Sequence, residues 1–182
     1  MTKYIIKDLM SMLRFLPYGL IVGILATVIL CAINDRRVKK QKKPFAVAAI
    51  VSYIMYTAIM LIITFWSREN GSSNGIDLEL FSTWGINDRN NAYAIENILL
   101  FMPYGFLTAW VFPSMRNLFT CILLGLVSSL GIEYLQMITE RGYFQIDDII
   151  TNTIGTVLGY VLFRCIWGIG KLFCKIVGKK KN

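Results

Sequence analysis

Acids and amides interrupt two of the most apolar stretches of this chain. The side chains concerned are Glu133, Gln136, Asp147, Asp148 and Asn152. An ionised group inside a bilayer is costly unless it is paired or hydrated, so such groups normally face the interior of a bundle. Carboxylates can bind amines, and amides can bind sugars or other amides. We therefore expect a polar binding cavity; the alternative is a hydrogen-bond network that only joins helices.

Helical periodicity groups the first of these side chains on one face. Ser129 precedes Glu133 by four residues and Gln136 follows it by three, so all three share one side of a helix. Asn97, at the outer end of the preceding apolar segment, is expected at the same depth. Arg141 follows in a short connection and is the nearest cation for the carboxylates. Polar groups from separate segments that meet at one depth in the membrane predict a binding site.

The next apolar segment carries a second polar stripe. Asp148, Asn152, Gly155 and Gly159 follow one another at helical spacing. The two glycines form a GxxxG motif, which lets a neighbouring backbone approach closely. Asp147 can be explained as a helix-capping acid, because carboxylates favour the N-terminal end of the helix dipole. Capping does not explain Asn152, which lies a full turn inside the helix.

Two proline-containing hexapeptides are nearly identical. FLPYGL occupies 15–20 and FMPYGF occupies 101–106. Pro103 removes a backbone N–H in mid-span and frees a carbonyl, and Pro17 is expected to do the same. Gly105 is a predicted helix-packing position. The similarity is either chance or a parallel repeat, and paired broken helices often frame a midplane site.

Composition shows which solvent surrounds these helices. The chain has 182 residues, of which 55% are hydrophobic and 16% charged, and its mean hydropathy is +0.56. Soluble domains contain about 25% charged residues. Spans need roughly 20 mostly apolar residues, and five segments qualify: 15–33, 45–66, 97–115, 117–138 and 149–170. The sequence predicts an all-α integral membrane protein with a bundle of about five transmembrane helices.

The positions of the apolar segments predict four regions in the chain. Residues 1–66 hold a short N-terminal interfacial helix, indicated by helical spacing of apolar residues, and the first two spans. Residues 67–96 form an outward-facing loop that we expect to fold over the mouth of the bundle. Residues 97–170 form a three-helix core. Residues 171–182 are a basic cytoplasmic tail.

Basic residues predict the orientation. Loop 34–44 has six Lys and Arg residues and the tail has five lysines, and such loops stay cytoplasmic. The N-terminus is then outside and the C-terminus cytoplasmic, although Lys3, Lys7 and Arg14 disagree with this assignment. The net charge of +8 is a topology signal and a means of holding anionic lipids. Nucleic-acid binding is not expected, because the basic residues flank spans.

The sequence lacks the residues that several common catalytic and metal sites require. The chain has no histidine, which excludes His-based triads and zinc sites with His ligands. The four cysteines form no CxxC pair and lie in or beside apolar segments, where they act as small packing residues. We expect no cofactor and no metal among the site residues, and we identify no catalytic residue.

The order and spacing of these polar residues over roughly 77–160 resemble the VanZ-like family, whose namesake is associated with resistance to teicoplanin. The matching positions are Asn97, Phe101, Pro103, Gly105, Glu133, Gln136, Asp148, Asn152 and Gly155. Gln145 stands where the family usually has its first Asp, which argues against a charge-dense metal site. Arg141 lies near an arginine position of the family without aligning to it.

The resemblance implies a multi-pass protein of the bacterial plasma membrane that lowers susceptibility to teicoplanin-type lipoglycopeptides. We expect its outward polar pocket to bind a lipid headgroup or a lipoglycopeptide, with membrane lipids and cell-wall precursor lipid as partners. Whether it is an enzyme stays open. One alternative is a metal-dependent enzyme acting on lipid-linked phosphate through Glu133 and the Asp148 region. Another is a small transporter or flippase, which would need a homodimer because five spans are few.

Overall fold

The computed structural model describes residues 1–66, 71, 75–82 and 84–179, the last three as backbone alone. Its helices are α1 Thr2–Met12, α2 Leu16–Lys39, α3 Val47–Leu61, α4 Asp88–Val111, α5 Leu118–Ile138 and α6 Ile146–Lys179. Five helical stretches of the described chain are long and apolar enough to cross a membrane. This confirms the predicted all-α bundle of about five spans, and the chain is a multi-pass membrane protein.

The third span begins earlier than its apolar run predicts. Helix α4 starts at Asp88, so Asn97 lies well inside the helix and not at its outer end. The side chain of Asn87 caps the helix by accepting hydrogen bonds from the backbone N–H groups of Arg89, at 3.0 Å, and Asn90, at 2.9 Å. Hydropathy missed this boundary because the first turns of α4 are polar.

Helices α4 and α6 form the most extensive helix pair of the bundle, and glycines allow their close approach. A Cβ atom added at Gly159 would collide with the carbonyl of Met102, and one at Gly105 would collide with the carbonyl of Thr156. Gly155 likewise faces the backbone of α4. The GxxxG motif therefore packs within the chain, where only the absence of side chains lets the two backbones meet.

The two proline motifs lie in different helical positions. Pro103 is inside α4, and the Tyr56 hydroxyl of α3 donates to the adjacent carbonyl of Leu100 at 2.6 Å. Pro17 lies in the first turn of α2, directly after the 3-10 turn Leu13–Phe15 that joins α1 to α2. The helical stretch Thr2–Lys39 therefore tightens to 3-10 geometry just before Pro17.

Consecutive spans alternate in direction, so the starts of α2, α4 and α6 lie with the ends of α3 and α5. We call this the polar end of the bundle; the opposite end carries the basic loop 34–44. Helix α1 lies at the polar end, where the ammonium group of Met1 is 2.8 Å from the carboxylate of Asp88. The guanidinium of Arg89 lies 5.5 Å from the ring centroid of Tyr4. The predicted N-terminal helix thus reaches the first turn of α4.

A two-stranded parallel ladder joins the long loop to the α5–α6 connection. Strand β1, Ile76–Asp77, pairs with β2, Phe144–Gln145, in the register Ile76 to Phe144 and Asp77 to Gln145. The loop before α4 is therefore attached to the polar end, next to the start of α6. Outside the described residues lie 67–70, 72–74 and 83 of the predicted outward-facing loop, and 180–182 of the basic tail.

Candidate functional site

Polar side chains of α5 and of the first turns of α6 form a buried cluster at the polar end. Their exposed fractions are Ser129 0%, Glu133 2%, Gln136 1%, Asp147 3% and Asn152 3%. Side chains of this kind are seldom buried so completely unless they are hydrogen-bonded. The partners of each therefore show what the cluster does.

The deepest contact of this buried cluster joins α5 to α6. The side-chain amide of Asn152 donates to the hydroxyl of Ser129 at 2.9 Å. The amide oxygen of Asn152 is also buried, and it has no hydrogen-bond partner among the described residues. The contact therefore holds the helices together and leaves one acceptor for a further donor.

Glu133 faces the connection between α5 and α6. Its carboxylate accepts a hydrogen bond from the backbone N–H of Gln145 at 3.1 Å. Gln145 belongs to β2 and lies opposite Asp77 of β1. A buried carboxylate needs such donors, and this one also holds the short ladder against α5.

Gln136 and Arg141 bind the π-helical turn that follows α3. The side-chain amide of Gln136 donates to the carbonyl of Thr64 at 3.0 Å, and the guanidinium of Arg141 donates to the carbonyl of Phe65 at 2.6 Å. Both carbonyls belong to the π-helical turn Ile62–Trp66. Such turns are frequent at functional sites. Sequence reasoning missed these acceptors because backbone carbonyls carry no residue-type signal.

Asp147 attaches the long loop to the first turn of α6. Its carboxylate accepts a hydrogen bond from the backbone N–H of Phe81 at 2.7 Å. Thr151 lies one turn further and donates to the backbone carbonyl of Asp147 at 3.0 Å. Asp148 lies beside Asp147 and is half-buried. Asp147 therefore does more than cap a helix, since it also positions a loop at the polar end.

Asn97, another predicted site residue, makes no hydrogen bond to the buried cluster. It is half-buried in α4, and its side chain makes no hydrogen bond within the described part of the chain. Its neighbour Glu96 is buried instead, with one carboxyl oxygen that has no partner among those residues. Glu96 is not among the predicted site residues, because it precedes the apolar run and falls within the predicted loop 67–96.

A cleft of about 560 Å³ opens beside the buried cluster. Its lining residues are Phe65, Trp66, Gly71, Ile138, Thr139, Glu140 and Arg141. Small-molecule sites usually measure about 300–1,000 Å³ and combine apolar walls with a few polar groups. Arg141 connects the cleft to the cluster, because it lines the cleft and binds the carbonyl of Phe65. No three His, Cys, Asp or Glu side chains in the described segments lie close enough together to hold a metal ion.

Comparison with known proteins identifies the family. The VanZ/LLP1 family model matches residues 44–168, a range that contains α3 to α5, most of α6 and every residue of the buried cluster. Comparisons with curated proteins and with solved structures gave no match. The family match spans more than half of the chain and confirms the resemblance found in the order of its polar residues. The chain therefore belongs to the VanZ/LLP1 family.

Proposed function

We propose that this protein acts in the bacterial plasma membrane, where its cleft binds the polar part of a lipid or lipoglycopeptide and lowers susceptibility to teicoplanin. The observation that supports this most is the position of Arg141. Its guanidinium lines the cleft and is fixed by the carbonyl of Phe65 at 2.6 Å. A guanidinium group held in this way is already ordered before any ligand binds, which lowers the entropic cost of binding.

The chemistry of the cleft suits an amphipathic ligand. Glu140 and Arg141 offer opposite charges, and Thr139 offers a hydroxyl group. Carboxylates bind amines, and guanidinium groups bind carboxylates or phosphates in a bidentate manner. Phe65 and Trp66 supply aromatic walls beside these groups. The apolar outer faces of the helices would accommodate acyl chains.

The distribution of charge supports an outward-facing cleft. Loop 34–44 at the opposite end has six basic residues, and short basic loops remain in the cytoplasm. The polar end would then face the envelope, where lipoglycopeptides and lipid-linked cell-wall precursors are found. Binding of the drug or of a lipid in this cleft would hinder insertion of the drug or its access to the precursor.

Binding of fluorescent teicoplanin to the purified protein in detergent tests this function. The same measurement compares cells that produce the protein with cells that do not. Arg141→Gln and Glu140→Gln alter the cleft, and Glu79→Gln removes an exposed acid outside it. We expect wild type and Glu79→Gln to bind the labelled drug and both cleft variants to bind it more weakly. Equal binding by all four proteins would contradict the cleft assignment. If producing and non-producing cells bind the drug equally and are equally susceptible to it, the proposed function is contradicted.

A further inference from the structure

A second cleft lies at the polar end, between the start of α2 and the end of α3. It has a volume of about 350 Å³ and is lined by Arg14, Phe15, Tyr18 and Trp66. Trp66 is the residue that it shares with the cleft beside the buried cluster. None of the buried acids and amides of α5 and α6 lines it, so it offers a different chemistry.

The lining combines one cation with aromatic rings at a helix end. The guanidinium of Arg14 lies 4.7 Å from the ring centroid of Phe15, which limits its freedom before any ligand binds. Tyr18 is 57% exposed and Trp66 is 78% exposed. Tyrosine and tryptophan concentrate where a membrane meets water. Arginine presents several donors in a planar fork that matches the oxygens of a phosphate.

The charges around this cleft favour an anion. Lys3 and Lys7 precede Arg14 on the exposed part of α1. Asp8, an acid of the same helix, is half-buried and lies near Arg89 and Glu96 of α4. No carboxylate of the described residues is within ion-pair distance of Arg14. These cations lie at the end that the basic loops predict to be outside, so orientation does not explain them.

We infer that this cleft binds the phosphodiester headgroup of an anionic membrane lipid. Arg14 contacts the phosphate, and Tyr18 and Trp66 pack against the glycerol and upper acyl chain. Lys3 and Lys7 add attraction along α1, which explains a basic segment that opposes the topology signal. This assignment does not depend on the proposed function, because it concerns a different cation and a different cleft.

Quenching of Trp66 fluorescence by brominated lipids tests the inference at the site itself. The protein with Trp84, Trp110 and Trp167 replaced by Phe is placed in vesicles of brominated phosphatidylglycerol or brominated phosphatidylcholine. We expect the relative binding constant at Trp66 to favour phosphatidylglycerol about five-fold, the effect of one basic residue near a membrane surface. Arg14→Gln should reduce this preference, and Arg36→Gln, which alters an exposed arginine at the opposite end, should retain it in full.

Three outcomes would overturn the inference: equal quenching by the two lipids, an unchanged preference in Arg14→Gln, or loss of the preference when inorganic phosphate is added. The last result would identify free phosphate as the ligand in place of a lipid. If the single-tryptophan protein does not fold, native mass spectrometry of the intact chain gives the same comparison. Wild type and Arg36→Gln should then retain more phosphatidylglycerol than Arg14→Gln, and equal retention would be decisive against the lipid site.

Discussion

The side-chain amide of Asn152 lies 2.9 Å from the hydroxyl of Ser129, and both side chains are almost wholly buried. One residue belongs to α6 and the other to α5, so the contact crosses the helix interface at the depth of the acid and amide cluster. It contributes to holding the two helices in one rotation about their axes. Because Glu133 lies one turn above Ser129 on the same face, this rotation also directs Glu133 toward the start of α6.

Replacing Ser129 with Ala should destabilise the protein by about 1 kcal/mol, because the amide of Asn152 loses its acceptor. Thermal unfolding in detergent measures the change. Ser114→Ala is the matched control, since Ser114 is exposed on the connection before α5. An equal effect of the two substitutions would show that the interhelical hydrogen bond contributes nothing.

Gly159→Ala should be strongly destabilising, because the new methyl group would collide with the carbonyl of Met102 and the backbone nitrogen of Phe106. Overpacking of this kind costs about 1–3 kcal/mol. Gly168→Ala, on the same helix, meets no atom within 4 Å and should be neutral or slightly stabilising. Thermal unfolding distinguishes the two variants, and similar stabilities would contradict the close packing of α4 and α6.

Arg141→Gln should loosen the end of α3, because the 2.6 Å contact with the carbonyl of Phe65 is lost. Hydrogen exchange of a peptide containing Ile62–Trp66 should accelerate several-fold relative to wild type. Arg36→Gln removes an exposed arginine far from this turn and serves as the control. Exchange that is the same in the three proteins would show that Arg141 does not hold the π-helical turn.

The loop that carries β1 should loosen in acid. The hydroxyl of Ser82 and the N–H of Glu79 donate to the carboxylate of Asp77 at 2.7 and 3.1 Å, and these bonds lower the pKa of Asp77. These hydrogen bonds favour the ionised carboxylate of Asp77. Their contribution to the stability of the loop is therefore fully present above the ordinary pKa of about 4. It is lost as pH falls through the lowered value.

Amide exchange at Glu79, corrected for its intrinsic pH dependence, measures this loosening. We expect faster exchange below about pH 4 in wild type, and no such step in Asp77→Asn. Asp35→Asn changes an exposed acid at the opposite end and should behave as wild type does. A step of the same size in Asp77→Asn would assign it to another group.

The spans could be predicted from the sequence, because a lipid solvent requires long apolar runs and the bundle interior retains the few polar groups. Glu133, Gln136 and Asn152 were found in this way, and all three are buried at the polar end. Helical spacing was sufficient because it needs no knowledge of distant contacts.

Other features depend on contacts between distant residues. The pairing of Asp77 with Gln145 and the acceptor carbonyl of Thr64 involve backbone groups, whose partners no residue pattern reveals. Glu96 was assigned to a loop because hydropathy does not detect the polar first turns of α4. Asn97 was expected at a helix end for the same reason, and the earlier start of α4 places it inside.

The most direct test of whether the buried acid and amide cluster is needed for the proposed protection against teicoplanin uses Glu133→Gln. The substitution keeps the size of the side chain and an oxygen acceptor for the N–H of Gln145, but replaces the carboxyl group with an amide. The measurement is the minimum inhibitory concentration of teicoplanin in a susceptible host at matched levels of folded protein. We predict that wild type and Glu79→Gln raise this concentration and that Glu133→Gln does not. Protection by Glu133→Gln equal to that of wild type would contradict the account.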